Sequence, residues 1–280
     1  MTSHTPPAPA TPDHPLTAPL VDTLRADVPA WPARVAFIGA GPGQADLITM
    51  RGAQRLAGAQ VVLVDALTDP ALRALAPDAQ WIDVGKRGFA HATGQAAINA
   101  LLVEQAGLHP RVARLKGGDP SIFGRLEEEL QAVQAAGHAV EVIPGISAAQ
   151  AAAAQTARPL TRRGHGRSVS LSTAMTQLGR LQVGRSADTE VFYMAGRQLP
   201  ALAAQLLAAG WPAATPALVV SRAGWPDARV STLTVADLPT AAGLHAGRPA
   251  VVTVGAGAAD GRCAAPVDGP DDGTDPPSDA

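Results

Sequence analysis

A chain of 280 residues is long enough for one large or two modest domains, and 46% hydrophobic residues supply a core. A formal net charge of −2 gives no reason to expect a nucleic-acid partner, and no uninterrupted apolar run reaches the roughly 18 residues of a membrane span. Cys263 is the single cysteine, which excludes an intramolecular disulfide, the histidines show no metal-ligand spacing, and the N-terminus has no basic start leading into an apolar stretch; together these lead to the expectation of a soluble, cytoplasmic protein.

In chain order, residues 1–33 are rich in Pro, Ala and Thr without an apolar period, and are expected to be a disordered extension. Arg34–Gly39 is a short buried strand entering a glycine turn, with a helix expected over Asp46–Leu56. Val61–Asp65 is the next strand; a short helix at Ala71–Leu75, a strand at Trp81–Val84 and a helix over Gln95–Glu104 follow. Arg111–Leu115 is a strand ending in Lys-Gly-Gly-Asp-Pro, Glu127–Ala136 a helix, and Val140–Ile143 a strand ending in Pro-Gly. This alternation implies an α/β unit with a mainly parallel sheet. After an Ala-rich helix at 147–157, strands are expected at Val169–Ser172, Glu190–Met194, Ala217–Val220 and Ala250–Val254, with a helix at Leu199–Ala209. The units expected are 34–157 and 158–258, and residues 259–280 form an acidic tail expected to be disordered.

Gly39-Ala40-Gly41-Pro42-Gly43 lies between a strand and a helix, a context that suits close approach of backbone to a ligand. Asp65 ends the next strand, so a dinucleotide-binding turn with its ribose-binding acid is one reading. Against it, Pro42 has no N–H to offer a pyrophosphate, and the third glycine of that fingerprint would fall on Gln44. On the turn alone, a nucleotide-type site and a purely structural tight turn stay equally open.

Composition adds one further sign. Of 22 basic residues two are lysines, Lys86 and Lys116, leaving 20 arginines, and both lysines fall inside motifs.

Those motifs, in order, are GAGPGQADLITMRG (39–52), VVLVD (61–65), VGKRG (84–88), RLKGGDPSIFGR (114–125), VIPGISA (142–148) and RPLTRRG (158–164). FYMAG (192–196) and the run 217–232 continue the pattern. Together they resemble the tetrapyrrole methylase family over about residues 34–256. LKGGDP followed by FGR is the most specific element, and within the family it is similar to the branch acting on uroporphyrinogen III.

The resemblance implies a two-domain α/β fold, with a mainly parallel sheet in the N-terminal domain, a mixed sheet in the C-terminal one and the ligand cleft between them, usually in a homodimer. It implies methyl transfer from S-adenosyl-L-methionine to carbons 2 and 7 of uroporphyrinogen III. The products are S-adenosyl-L-homocysteine and precorrin-2, the precursor of sirohaem, cobalamin and haem d1. Two alternatives stand beside it: a related methylase with another tetrapyrrole acceptor, and a paralogue that binds tetrapyrrole or S-adenosylmethionine without turnover. Asp65 matches the family's proton acceptor and Lys86 its proton donor. The cofactor positions carried over are Pro42, Gly117, Gly118, Asp119, Ile122, Ser147, Ala148, Met194 and Ala223. An acceptor bearing eight carboxylates needs cations, for which Arg87, Lys116, Arg125, Arg162 and Arg163 are the candidates. The chain departs from the family pattern at Val64, Arg162, Leu126-Glu127 and Thr173–Gln177, all on the substrate side.

Overall fold

A computed structural model describes residues 18–26, 30–85, 94–174 and 183–260 of the chain. Two five-stranded sheets organise it. The first is wholly parallel, in the order β3-β2-β4-β1-β5. Its strands are β1 (Val35–Gly39), β2 (Val61–Val64), β3 (Gln80–Asp83), β4 (Val112–Lys116) and β5 (Val140–Ile143). A parallel sheet is covered on both faces, which is why β1, β2 and β4 are buried at every position. Alternate residues separate the two cores. Ala36, Ile38, Val62, Val64, Ala113 and Leu115 pack with α2 (Met50–Ala57). Val35, Phe37, Val61, Leu63 and Val112 pack with α3 (Gln95–Leu108) and α4 (Leu126–Ala135). This parity fixes the direction of Arg114 and Lys116, two and four residues beyond Val112: both side chains turn toward α3 and α4.

The second sheet is mixed, in the order β6-β7-β10-β8-β9. Its strands are β6 (Val169–Thr173), β7 (Thr189–Tyr193), β8 (Pro216–Ser221), β9 (Arg229–Thr234) and β10 (Ala250–Gly255). β6 and β7 are parallel and the remaining pairs antiparallel. One face packs on α6 (Leu199–Ala208) through Phe192, Val219 and Val252. The other faces α5 (Ala148–Gln155), whose Ala149, Ala151 and Ala152 bury against β7, β8 and β10. By packing, α5 therefore sits with the second sheet although it directly follows the first.

Three expectations are corrected locally. Within the extension expected to lack structure, Ala18–Ala26 forms a helix, α1, and buries Val21 and Leu24 in the first core. The helix expected over Asp46–Leu56 is split, because Thr49 accepts a hydrogen bond from Gly52 N–H (3.1 Å) and caps a helix that starts at Met50, while Ala45–Leu47 is a separate 3-10 turn. Strand β9, for which no strand was expected, pairs with β8 at the sheet edge, where a polar, partly exposed sequence carries no apolar alternation. Among the described residues, no helix is long and apolar enough to cross a membrane.

Candidate active site

The site is assembled from loops at the C-terminal ends of the parallel strands, where ligands of open α/β sheets bind. The turns after β1, β4 and β5 are laced by main chain. Gly41 and Gly118 exchange two hydrogen bonds (3.2 and 2.9 Å), and Ala40 N–H donates to the Lys116 carbonyl at 2.8 Å. A methyl group on Gly39 would lie 2.6 Å from the Gly145 backbone, so only glycine lets these two turns touch. Asp119 fastens the assembly: one carboxylate oxygen accepts from Ser121 N–H (2.7 Å) and the other from Gly145 N–H (2.9 Å). On the far side, Gly43, with φ of +90°, abuts the Gly224 carbonyl, and Gln44 N–H donates to that carbonyl at 3.1 Å. The two sheets are thus joined through backbone at the cleft's edge.

The same contacts settle the dinucleotide alternative. The amides after the glycine turn are committed, Gln44 N–H to Gly224 and Ala45 N–H to the Asp69 carboxylate (3.1 Å). With Pro42 having no N–H, this turn presents no amide cradle for a pyrophosphate.

Between the sheets lies a cleft of about 590 Å³, within the range of small-molecule sites. Pro42, Gly117, Gly118, Asp119, Ile122, Ser147, Ala148, Met194 and Ala223 all line it, as do Asp65, Lys116 and Arg125. Lys86 and Arg87 lie outside the described residues. Arg162 does not line the cleft; its guanidinium donates to the carbonyls of Ala259 and Asp260, and with Arg163, which is exposed, it stands apart from it. Among the described residues, no cluster of three or more His, Cys, Asp or Glu is placed to hold a metal.

The cleft floor is a buried ionic cluster. Arg114 and Lys116, directed by strand parity, meet Glu129 of α4. Lys116 Nζ donates to both Glu129 oxygens at 2.9 Å, and Arg114 donates Nε and Nη2 to them at 3.1 Å. Gln95 of α3 adds a further hydrogen bond at 3.1 Å. Arg114 Nη2 also reaches Asp65 Oδ1 at 2.6 Å, which orients a carboxylate whose side chain is 30% exposed at the cleft surface. Two cations and two carboxylates balance. Burial alone pushes the Glu129 carboxyl up, but Arg114 and Lys116 outweigh it and hold it below the usual range. Burial, followed by the nearby Arg114 charge, pushes the Lys116 ammonium down. Lys116, expected to greet substrate, is instead committed inward to Glu129.

Strain concentrates in the loops that line the cleft. Four of the five non-glycine residues with positive φ among the described residues line the cleft: Phe123 (52°), Arg125 (55°), Met194 (58°) and Arg222 (53°). Such conformations cost free energy and persist where surrounding structure enforces them, often at ligand sites. Tyr193 is held beside Met194 by its hydroxyl, 2.6 Å from Ser147 Oγ, and by the Phe123 ring at 5.0 Å between centroids. Burial pushes the Tyr193 hydroxyl's pKa up, so it remains a neutral hydrogen-bonding group. Arg125 is bound by both Nε (2.8 Å) and Nη2 (2.7 Å) to exposed Glu128.

Sequence reasoning did not find Arg114, Glu129, Phe123, Tyr193, Arg222 or Trp225 as cleft residues. Parity along β4 was a usable signal for Arg114: an arginine inside a strand otherwise buried on both faces needs an acidic partner.

The sequence of residues 34–239 matches the model of the Tetrapyrrole (Corrin/Porphyrin) Methylases. Siroheme synthase 2 of Halorhodospira halophila is 43% identical over 231 residues, 79% of this chain and 46% of that relative. Siroheme synthase of Gluconacetobacter diazotrophicus is 43% identical over 229 residues, 79% of this chain and 49% of that relative. The chain thus spans about half the length of these curated relatives. Among solved structures, uroporphyrin-III C-methyl transferase from Thermus thermophilus, complexed with S-adenyl homocysteine, superposes with a TM-score of 0.70 at 33% identity, covering 79% of this chain and 97% of that one. A cobalt precorrin-4 methyltransferase of cobalamin biosynthesis gives 0.69 at 27% identity, covering 79% and 94%. With its family match, its relatives and its two-sheet fold in agreement, the chain belongs to the tetrapyrrole methylase family.

Proposed function

We propose that the chain is an S-adenosylmethionine-dependent C-methyltransferase that converts uroporphyrinogen III to precorrin-2 by methylating carbons 2 and 7. The observation that carries this reading is convergence: nine positions matching the family's cofactor contacts, spread from Pro42 to Ala223, line one cleft together with Asp65. The fit is physical as well. A Cβ on Gly118 would meet nothing nearer than 3.9 Å, so its open face admits a ligand, and Ile122, Ala148, Met194 and Ala223 give apolar surface for an adenine ring.

S-adenosylmethionine, bound there, supplies a methyl group already activated by the sulfonium charge. The protein's task is then to orient the acceptor, exclude water and handle one proton. Gly117 and Gly118 let main chain approach the donor, and Asp119 fixes the loop that carries them. Asp65, held by Arg114 and open on one side, is the proposed acceptor of the proton that the ring loses from a pyrrole nitrogen or a bridging carbon, since the methylated carbon carries no hydrogen of its own. Lys86 is proposed as the proton donor. The resemblance's homodimer and cytoplasmic setting belong to the same proposal, the former testable by light scattering on the purified chain.

A second reading, a methylase with a different tetrapyrrole acceptor, draws on the commitment of Lys116 and Arg125 to glutamates and on the position of Arg162 off the cleft. Anaerobic incubation with S-adenosylmethionine and uroporphyrinogen III separates the two by product mass. A gain of two methyl groups supports the first reading. No gain despite measurable binding of S-adenosylhomocysteine refutes it.

A further inference from the structure

An acceptor bearing many carboxylates needs cations that are free to meet it, yet most cleft cations are already committed. Lys116 and Arg114 are neutralised in the floor, and Arg125 makes a two-pronged pair with Glu128. Arg222, in the loop after β8, differs. Its Nε donates to Asp227 Oδ1 at 2.8 Å, and its guanidinium carbon lies 4.4 Å from the Trp225 ring centroid. Among the described cleft residues it is the guanidinium with both terminal nitrogens uncommitted.

The mounting of Arg222 is rigid. Asp227 is shared with Arg248 (Nη2 to Oδ2, 3.0 Å), and Arg248 Nε donates to Ser221 Oγ at 3.1 Å. Ser221 Oγ is also 2.9 Å from Nδ1 of the fully buried His245, whose Nε2 lies 3.0 Å from Ser231 Oγ. Two arginines around one aspartate leave a net positive charge on this lip. The left-handed backbone of Arg222, stacking on Trp225 and fixation of Nε leave little rotamer freedom to lose on binding. This combination, a flat fork held from behind with its two outer N–H groups open at a cleft wall, is built for a carboxylate.

We propose that Arg222 is a specificity-determining residue that binds a carboxylate of the tetrapyrrole acceptor on the wall formed by the second sheet. The inference rests on the proposed function and deepens it, naming a cation that the family resemblance did not supply. The chemistry would equally suit the carboxylate of the methionine moiety of the methyl donor, so the test separates the two.

Equilibrium dialysis against uroporphyrin III, the stable oxidised octacarboxylate, is read at its Soret absorbance for the parent chain, Arg222→Gln and Arg222→Lys. S-adenosylhomocysteine binding to the same three proteins is measured by calorimetry. The expected result is an uroporphyrin Kd raised about tenfold or more in Arg222→Gln, partly recovered in Arg222→Lys, with S-adenosylhomocysteine affinity unchanged. That unchanged affinity also certifies the fold of the variants. Equal uroporphyrin affinity in the parent and Arg222→Gln overturns the inference and leaves the function standing. Weakened S-adenosylhomocysteine binding with intact porphyrin binding overturns it too, by giving the fork to the donor. A parent chain that binds S-adenosylhomocysteine but no uroporphyrin removes the acceptor and this inference together.

Discussion

Glu129→Gln tests whether the floor of the cleft is a structural ionic cluster. The Glu129 side chain is 1% exposed, and the cations it serves, Arg114 and Lys116, are 2% and 3% exposed. It accepts from Lys116 at 2.9 Å, from Arg114 at 3.1 Å and from Gln95 at 3.1 Å. The substitution keeps shape and one acceptor but removes the charge. Two buried cations then share Asp65 alone, which contacts only Arg114 in this cluster. Removing one member of a buried ion pair costs about 3–5 kcal/mol, since the partner charge remains out of water. At about 2–4 °C per kcal/mol for a chain of this size, Tm should fall by roughly 6–20 °C. Differential scanning calorimetry, with urea titration as a second probe, reads the change. Pairing Glu129→Gln with Lys116→Met should cost less than the two single changes added together, because the double variant no longer buries an unpaired ammonium. The sign with pH follows: Glu129 is held below its ordinary value, so its contribution is present above about pH 4.5 and is lost as pH falls through the folded value. Glu129→Gln should lack that part of the acid limb. A Glu129→Gln protein within about 1 kcal/mol of the parent would refute the reasoning, and would mean that water reaches the cluster.

Burial, then the charges of Arg248 and Arg229, push His245 below its ordinary value, so stability should be full above about pH 6.5 and decline as pH falls through the depressed value; His245→Gln should flatten that decline in pH-dependent melts. Asp119→Ala should weaken S-adenosylhomocysteine binding by about 1–3 kcal/mol in calorimetry, through loss of the ties to Ser121 and Gly145; unchanged affinity would contradict the placement of the donor site. Tyr193→Phe should cost about 1 kcal/mol of stability by urea titration, the worth of one buried hydrogen bond to Ser147, and no loss would show that water replaces it. Gly43→Ala places a methyl group against the Gly224 carbonyl and should destabilise by about 1–3 kcal/mol on the same titration.

The parallel strands were legible because burial on both faces leaves continuous apolar runs such as Val35–Gly39 and Val61–Val64. Helix α1 was not, because its two buried residues, Val21 and Leu24, are embedded in a stretch whose composition suggests disorder. The glycine turns and GGDP motif could be read from sequence, since no other residue permits such backbone approach. The charge cluster could not: Arg114 and Glu129 are 15 residues apart on different elements, and Glu129 sits in a run of three glutamates of which only one faces inward. Lys116 was assigned outward for the same reason. Arg222 and Trp225 owe their position to the left-handed turn after β8, which the sequence around them does not announce.

The Gly43–Gly224 contact gives the two walls of the cleft a seam made of peptide units. The seam itself is main chain, and the side-chain ties of Ser147 and Phe123 to Tyr193 add a second join beside it. On the proposed function, a change of acceptor-binding side chain on the second wall therefore leaves the glycine turns of the first in their present geometry.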